Sequence, residues 1–290
     1  MSRVFRANSW LAAALFVGGL QFLQAANATA QVPAAESAIA DDILGLRPGM
    51  SYGEVVALLE ARDDVQLVET AEQWIRQSHG IPTRQLLRAS DGIACGPEEK
   101  ASRSGWHTEC DTLGGRFQAR KQVSNEIIVA FTGMPEGERA RSVWRRSVFA
   151  EGKSPTVSAV IEALAEKYGK PHVHQTESGY YSTSHRRDAT NLNWVYAPTG
   201  SLIQGNDSLL SGCVNGPKPW FTTEHSWSGG CGMTIRAEIL PVPGNTLLAQ
   251  ALNVTVVNQN GLIEALGRFD IDLKAAVEQR VEGTAEKPEL

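Results

Sequence analysis

The four cysteines are the residues whose type and spacing promise chemistry most directly. They fall into two sequence-local pairs, Cys95 with Cys110 and Cys213 with Cys231, each inside a Gly- and Ser-rich stretch. Four cysteines allow three connectivities. The local one closes two short loops, each contributing about 3 kcal/mol through the unfolded chain, and is the expected pairing. None of the cysteines has the close C-x2–4-C spacing of a zinc knuckle. His172 and His174 lie two apart, which on a strand points both imidazoles to one face, and Glu177 or His185 could complete a metal site. As neutral, exposed histidines after a helix stop they need no metal, and none is expected. The serines near His107 and His225 raise the question of hydrolysis, but the chain holds no G-x-S-x-G elbow, no S-x-x-K and no H-E-x-x-H. The reading is therefore of a protein that binds rather than catalyses, with no cofactor.

Large aromatic side chains offer a surface for such binding. The Cys213 to Cys231 loop contains Pro219-Trp220-Phe221 and His225-Ser226-Trp227. A rigid ring on a braced loop buries much area with little loss of rotamer entropy, so Trp220, Phe221 and Trp227 are partner-binding candidates. Trp106, beside Cys110, invites the same reading. The alternative is that these rings cap the protein's own core. Arg139, Arg141, Arg145 and Arg146 could dock an anionic partner, although a solvated strand face accounts for them more simply.

The N-terminus supplies an address. Residues 1–30 carry a basic start (Arg3, Arg6), an apolar stretch from Trp10 to Leu23, and the small-residue site Ala28-Thr29-Ala30, with a cut expected before Gln31. That stretch is interrupted by Gly18 and Gly19 and falls short of the roughly twenty residues a spanning helix needs, so a signal peptide is expected rather than a membrane span. Its removal takes the formal net charge from −5 to −7, because it carries two arginines and no acids. An acidic chain of this kind has no electrostatic footprint for nucleic acid. A soluble periplasmic or secreted protein is expected, and disulfides suit that compartment.

The elements that must position these residues follow one order twice. Ser51 and Glu54 form an S-x-x-E capping box, Met50 can staple onto Val55, and Tyr52, Val55, Val56 and Leu59 share one helical face. Strands are predicted at 65–70, 85–88, 117–123 and 126–131, with the Cys95–Cys110 excursion after the second. Then Ser154 is predicted to cap a second helix with Pro155 at its first position, striped by Val157, Val160, Ile161, Leu164 and Tyr168 and stopped by Gly169 and Pro171. Alternating runs at Leu192–Tyr196, Met233–Ile239 and Leu252–Val256 predict antiparallel strands with one face buried and one wet. The second excursion, Cys213 to Cys231, falls between the first two of these. An amphipathic helix is predicted from Leu262 to Val281. The fold class is α+β: two related lobes at 31–135 and 136–282, each a helix packed on an antiparallel sheet and braced by a disulfide, with a tail at 283–290 predicted to be disordered.

The segment Gly45-Leu46-Arg47-Pro48-Gly49-Met50-Ser51-Tyr52-Gly53-Glu54-Val55 resembles the opening of the SmpA/OmlA (BamE-like) domain of bacterial envelope proteins. Two such units in tandem are similar to the architecture of the β-lactamase-inhibitor-protein family. The resemblance implies helices laid across one face of a sheet in each half and non-enzymatic binding of an envelope protein, or a related use as an enzyme inhibitor or ligand-binding module. It transfers no binding residue. Gly152-Lys153-Ser154-Pro155 echoes the first turn loosely, and the lipidated cysteine of the lipoprotein branch has no counterpart. The Lys167–Pro171 stretch, Lys-Tyr-Gly-Lys-Pro, is similar to one found in exported proteobacterial proteins.

Overall fold

A computed structural model describes residues 40–72, 79–99, 110, 117–177, 189–203, 208–214 and 230–284. Helix α1 (Tyr52–Glu60) is followed by strands β1 (Leu67–Ala71), β2 (Leu86–Ser90), β3 (Ile93–Ala94), β4 (Arg120–Lys121), β5 (Asn125–Thr132) and β6 (Arg139–Val148). Helix α2 (Val157–Tyr168), strands β7 (Val173–Glu177) and β8 (Ala189–Val195), helix α3 (Ser208–Val214), strands β9 (Met233–Val242) and β10 (Asn245–Asn258), and helix α4 (Gln259–Thr284) complete it. Eight of the strands make one antiparallel sheet in the order β1-β2-β5-β6-β10-β9-β8-β7. The chain thus fills the sheet inward from one edge, crosses over, and fills it inward from the other. The two runs meet where β6 pairs with β10, from Ser142 opposite Val257 to Val148 opposite Ala251.

Helix α1 begins where its sequence says it should. The Ser51 hydroxyl accepts from the Glu54 amide, and the Glu54 carboxylate accepts from the Ser51 amide, so two otherwise orphaned donors are satisfied reciprocally. Helix α2 departs from expectation. Its cap is Thr156, whose Oγ1 accepts from the Ala159 amide at 3.2 Å, and not Ser154. The reason is remote in sequence. The Pro155 carbonyl accepts from Ala249 and Thr156 bridges Leu248, so both residues are held extended against the start of β10 and the helix opens after them.

The sheet is covered on both sides, which corrects the expectation of one wet face. On one side Val55 and Leu59 of α1 and Val160, Leu164 and Tyr168 of α2 join Leu87, Ile127, Val129, Phe131, Leu192, Trp194 and Ile235 in one apolar cluster. On the other, Leu262 and Leu266 of α4 pack with Leu86, Ile128, Ala130 and Trp144. Strands β2 and β8 are consequently buried at every residue, because alternate side chains face two different covering layers. The predicted strand at 117–123 is reduced to β4, which pairs only with β3 outside the main sheet.

Both disulfides pair locally, Cys95 with Cys110 and Cys213 with Cys231. Helix α3, which the sequence pattern missed, carries Cys213 against the sheet, where Val195, Ile203 and Cys231 complete a small apolar cluster. Cys231 leads directly into β9 through Gly232. That glycine is needed for space, since a Cβ there would lie 2.3 Å from the Ala197 carbonyl oxygen. Beside Phe117 and Gln118 lies a buried ion pair: Arg88 Nε sits 2.7 Å from Glu126 Oε1, and both side chains are fully buried. The Gln118 carbonyl accepts a further bond from Arg88. Replacing one member of such a pair strands the other charge. Glu126→Leu should lower the urea-derived stability by about 3–5 kcal/mol, and Arg88→Met with Glu126→Leu should recover most of the loss. A single-variant loss below about 1 kcal/mol would show that the pair contributes little.

Candidate functional site

Between α2 and the segment that precedes α1 the helix-side layer is incomplete, leaving an open groove of about 390 Å³ over β6 and β10. Its floor is Arg145, Leu252 and Val254, its end is Phe149 and Pro155, and its walls are Ile43 and Leu44 on one side and α2 on the other. The wall from α2 is low because Ala159 and Ala163, one turn apart, present methyl groups where longer side chains would fill the space. Lys167 continues the same line.

The opposite wall is pinned by a tight turn. Ile43 and Leu46 exchange backbone hydrogen bonds of 2.8 and 3.0 Å, with Leu44 at φ 56° and Gly45 at φ 84° between them. A leucine in the left-handed region is uncommon, and here it places its side chain in the groove wall. Asp42 ties this turn to α2. Its carboxylate accepts from the Gly45 amide at 2.8 Å and pairs with Lys167 at 3.0 Å, and its carbonyl accepts from Tyr168 Oη at 2.9 Å. Burial pushes the Asp42 carboxyl upward, but the Gly45 and Lys167 bonds outweigh it and hold the group below its ordinary value. Burial raises the Tyr168 phenol well above its ordinary value, so it stays a neutral donor.

Arg145 is the polar feature of the floor. It stands between Ile127 of β5 and Val254 of β10 in the strand register, on the helix-covered side. Its Nε donates to Asn125 Oδ1 at 3.0 Å, Asn125 Nδ2 donates to Asp64 at 2.8 Å, and Asp64 accepts from Arg62 at 2.8 Å. This chain orients the guanidinium while leaving its two terminal nitrogens outside it. Among the described residues no carboxylate lies within 4 Å of Arg145. Burial lowers its pKa and the positive charge of Arg62 adds to the effect, while the negative charge of Asp64 opposes it without cancelling it. The four arginines therefore do not share one solvated strand face: Arg145 enters the groove, whereas Arg141 donates to Thr132 Oγ1 at 2.8 Å and lines a different hollow beside α4.

Of the residues singled out in the sequence, Trp106, Trp220, Phe221 and Trp227 lie outside the described residues, as do His107, His185 and His225. His172 is half-buried rather than exposed. Its Nδ1 accepts from the Val195 amide at 2.9 Å and its ring meets Tyr196 edge-on at 5.5 Å between centroids. His174 and Glu177 fall in edge strand β7. Cys95, Cys110 and Glu99 offer atoms within 4.8 Å of one another, but both sulfurs are spent in the disulfide and Glu99 is held by Lys121 at 2.7 Å. The groove went unread because its walls come from distant segments. The available local signal was the Ala159, Ala163 pair beside an otherwise bulky apolar stripe. Comparison with known proteins supplies no relative: no family model, curated protein or solved structure matches the chain.

His172 yields a pH prediction. Burial holds its pKa below the ordinary value, and a protonated Nδ1 could not accept from Val195. On acidification the unfolded chain takes up this proton first, so its stabilising contribution is complete above about pH 6.5 and falls as pH drops below that. Thermal midpoints measured from pH 7.5 to 5 should decline less steeply for His172→Gln than for the native protein. Parallel slopes would show that His172 does not set the acid sensitivity.

Proposed function

We propose that this protein is a non-enzymatic binding module of the bacterial envelope, exported to the periplasm, in which two related SmpA/OmlA-like lobes share one sheet and the α2 groove holds the bound group. The observation that carries the reading is the groove: an apolar hollow, open to solvent, with a half-buried guanidinium on its floor and, among the described residues, no carboxylate within ion-pair distance of it. Pockets of a few hundred cubic ångströms with few convergent polar groups are the common form of a ligand site.

The relation between lobes is supported by a construction that occurs twice. Met50-Ser51 and Pro155-Thr156 each precede a helix; the Met50 and Pro155 carbonyls accept from Ala140 and Ala249, and Ser51 and Thr156 bridge Arg139 and Leu248. Val55 and Leu59 in α1 occupy the helical positions of Val160 and Leu164 in α2, and all four are buried. Ala140 and Ala249 are both fully buried where the last strand of each half starts. A periplasmic address is supported by the expected signal and is compatible with the two disulfides; no described helix is long and apolar enough to cross a membrane. A second reading, an envelope protein or a target enzyme as partner, draws on the braced aromatic loop and on Leu247, which is 75% exposed near the β9–β10 turn.

Ala163→Trp tests the groove, because the residue is exposed on α2 and a ring there fills the hollow without entering the core. After incubation with envelope extract and repurification, native mass spectrometry should show a saturable added mass on the native protein that is absent from Ala163→Trp at an unchanged thermal midpoint. The same adducts on both proteins would refute the groove as the binding site.

A further inference from the structure

We propose that the group held in the groove is an anionic amphiphile: a single carboxylate, bound by Arg145, on an acyl chain of medium length that lies against the apolar lining. This rests on the groove being the binding site and adds the chemical class of its occupant.

Three features of the lining select that class. The first is the scarcity of free polar partners. Tyr168 Oη is committed to the Asp42 carbonyl, Lys167 to the Asp42 carboxylate, and the backbone of α2, β6 and β10 to helix and sheet. A peptide in this hollow would bring amides that the walls cannot satisfy, at a substantial desolvation cost for each. An acyl chain brings none, and the faces of Leu44, Ala159, Ala163, Leu252 and Val254 offer it apolar surface. The second feature is charge. Arg145 is held by Asn125 through Nε alone, so its terminal nitrogens remain for a carboxylate, which would offset the unfavourable burial of the guanidinium. The Asp42 carboxylate is paired with Lys167 and accepts from the Gly45 amide, so its charge is compensated and opposes an incoming anion little. The third is size. Leu44, the two alanines of α2 and Phe149 line a hollow of about 390 Å³, which suits a single acyl chain of medium length.

Isothermal titration with decanoate below its micelle concentration tests the proposal on the whole exported chain. Decanoate should bind one to one. The neutral analogue 1-decanol should bind roughly ten- to a hundredfold more weakly, because it lacks the charge-assisted bond. Arg145→Met should reduce decanoate to the affinity of decanol, Arg145→Lys should restore part of the difference, and Ala163→Trp should abolish both. Equal affinities of the native protein for decanoate and decanol, an Arg145→Met protein that folds and binds decanoate undiminished, or tighter binding of a short apolar peptide would each overturn the proposal. The decanol comparison needs no variant, so it stands even if Arg145→Met does not fold. No decanoate binding alongside an extract-derived adduct lost in Ala163→Trp would sink the amphiphile and leave the groove. Loss of neither would sink both.

Discussion

The pairing of β6 with β10 is the constraint on which the rest of the structure depends. Each half of the chain supplies four strands of the main sheet and one capped helix, and the inner edge of each half's innermost strand stays unpaired until the ladder from Ser142–Val257 to Val148–Ala251 forms. An exposed inner strand would present a row of unpaired amides and carbonyls. The ladder removes that edge and merges the two apolar surfaces into one core beneath both helices. It also sets the helices apart, since each packs over its own strands. The space left over the central pair is partly filled by Ile43 and Leu44, and what remains is the groove.

The same sheet explains why charged and amide side chains lie so deep. With layers on both sides, positions that alternation would assign to solvent are enclosed instead. Arg88 and Glu126 solve this by pairing with each other. Asn191 accepts from Arg236 at 3.3 Å, and Asn253 donates to the Glu238 carboxylate at 2.9 Å. Arg145 is held differently: it is oriented by the Asn125 amide and half-buried among apolar side chains, with Asp64 reaching it through that amide and no described carboxylate in direct contact.

What could be read in the sequence was local. The Ser51 and Glu54 box, the β-branched run at Ile127–Phe131, the helix from Leu262 and both disulfides depend on neighbours in the chain, and each is present. The misses share one cause, distance. Thr156 replaces Ser154 as the cap because Leu248 and Ala249, far along the chain, hold Pro155 and Thr156 extended. Asn191, Asn193 and Arg88 have the look of wet-face residues, and only the covering layers make them buried. The groove needs Asp42 to reach Lys167 and Tyr168, a contact no window of sequence contains. The aromatic loop residues Trp220, Phe221 and Trp227, the most visible candidates in the sequence, lie outside the described residues.

A carboxylate received by Arg145 in a largely apolar hollow would itself report on the contact. Decanoate labelled with carbon-13 at the carboxyl carbon can be titrated by NMR in complex with the native protein. The bound acid should lose its proton at a lower pH than the free acid, and Arg145→Met should move this midpoint above the free value, because the apolar walls then act on the carboxylate unopposed. A bound carboxylate that titrates like the free acid in both proteins would contradict it.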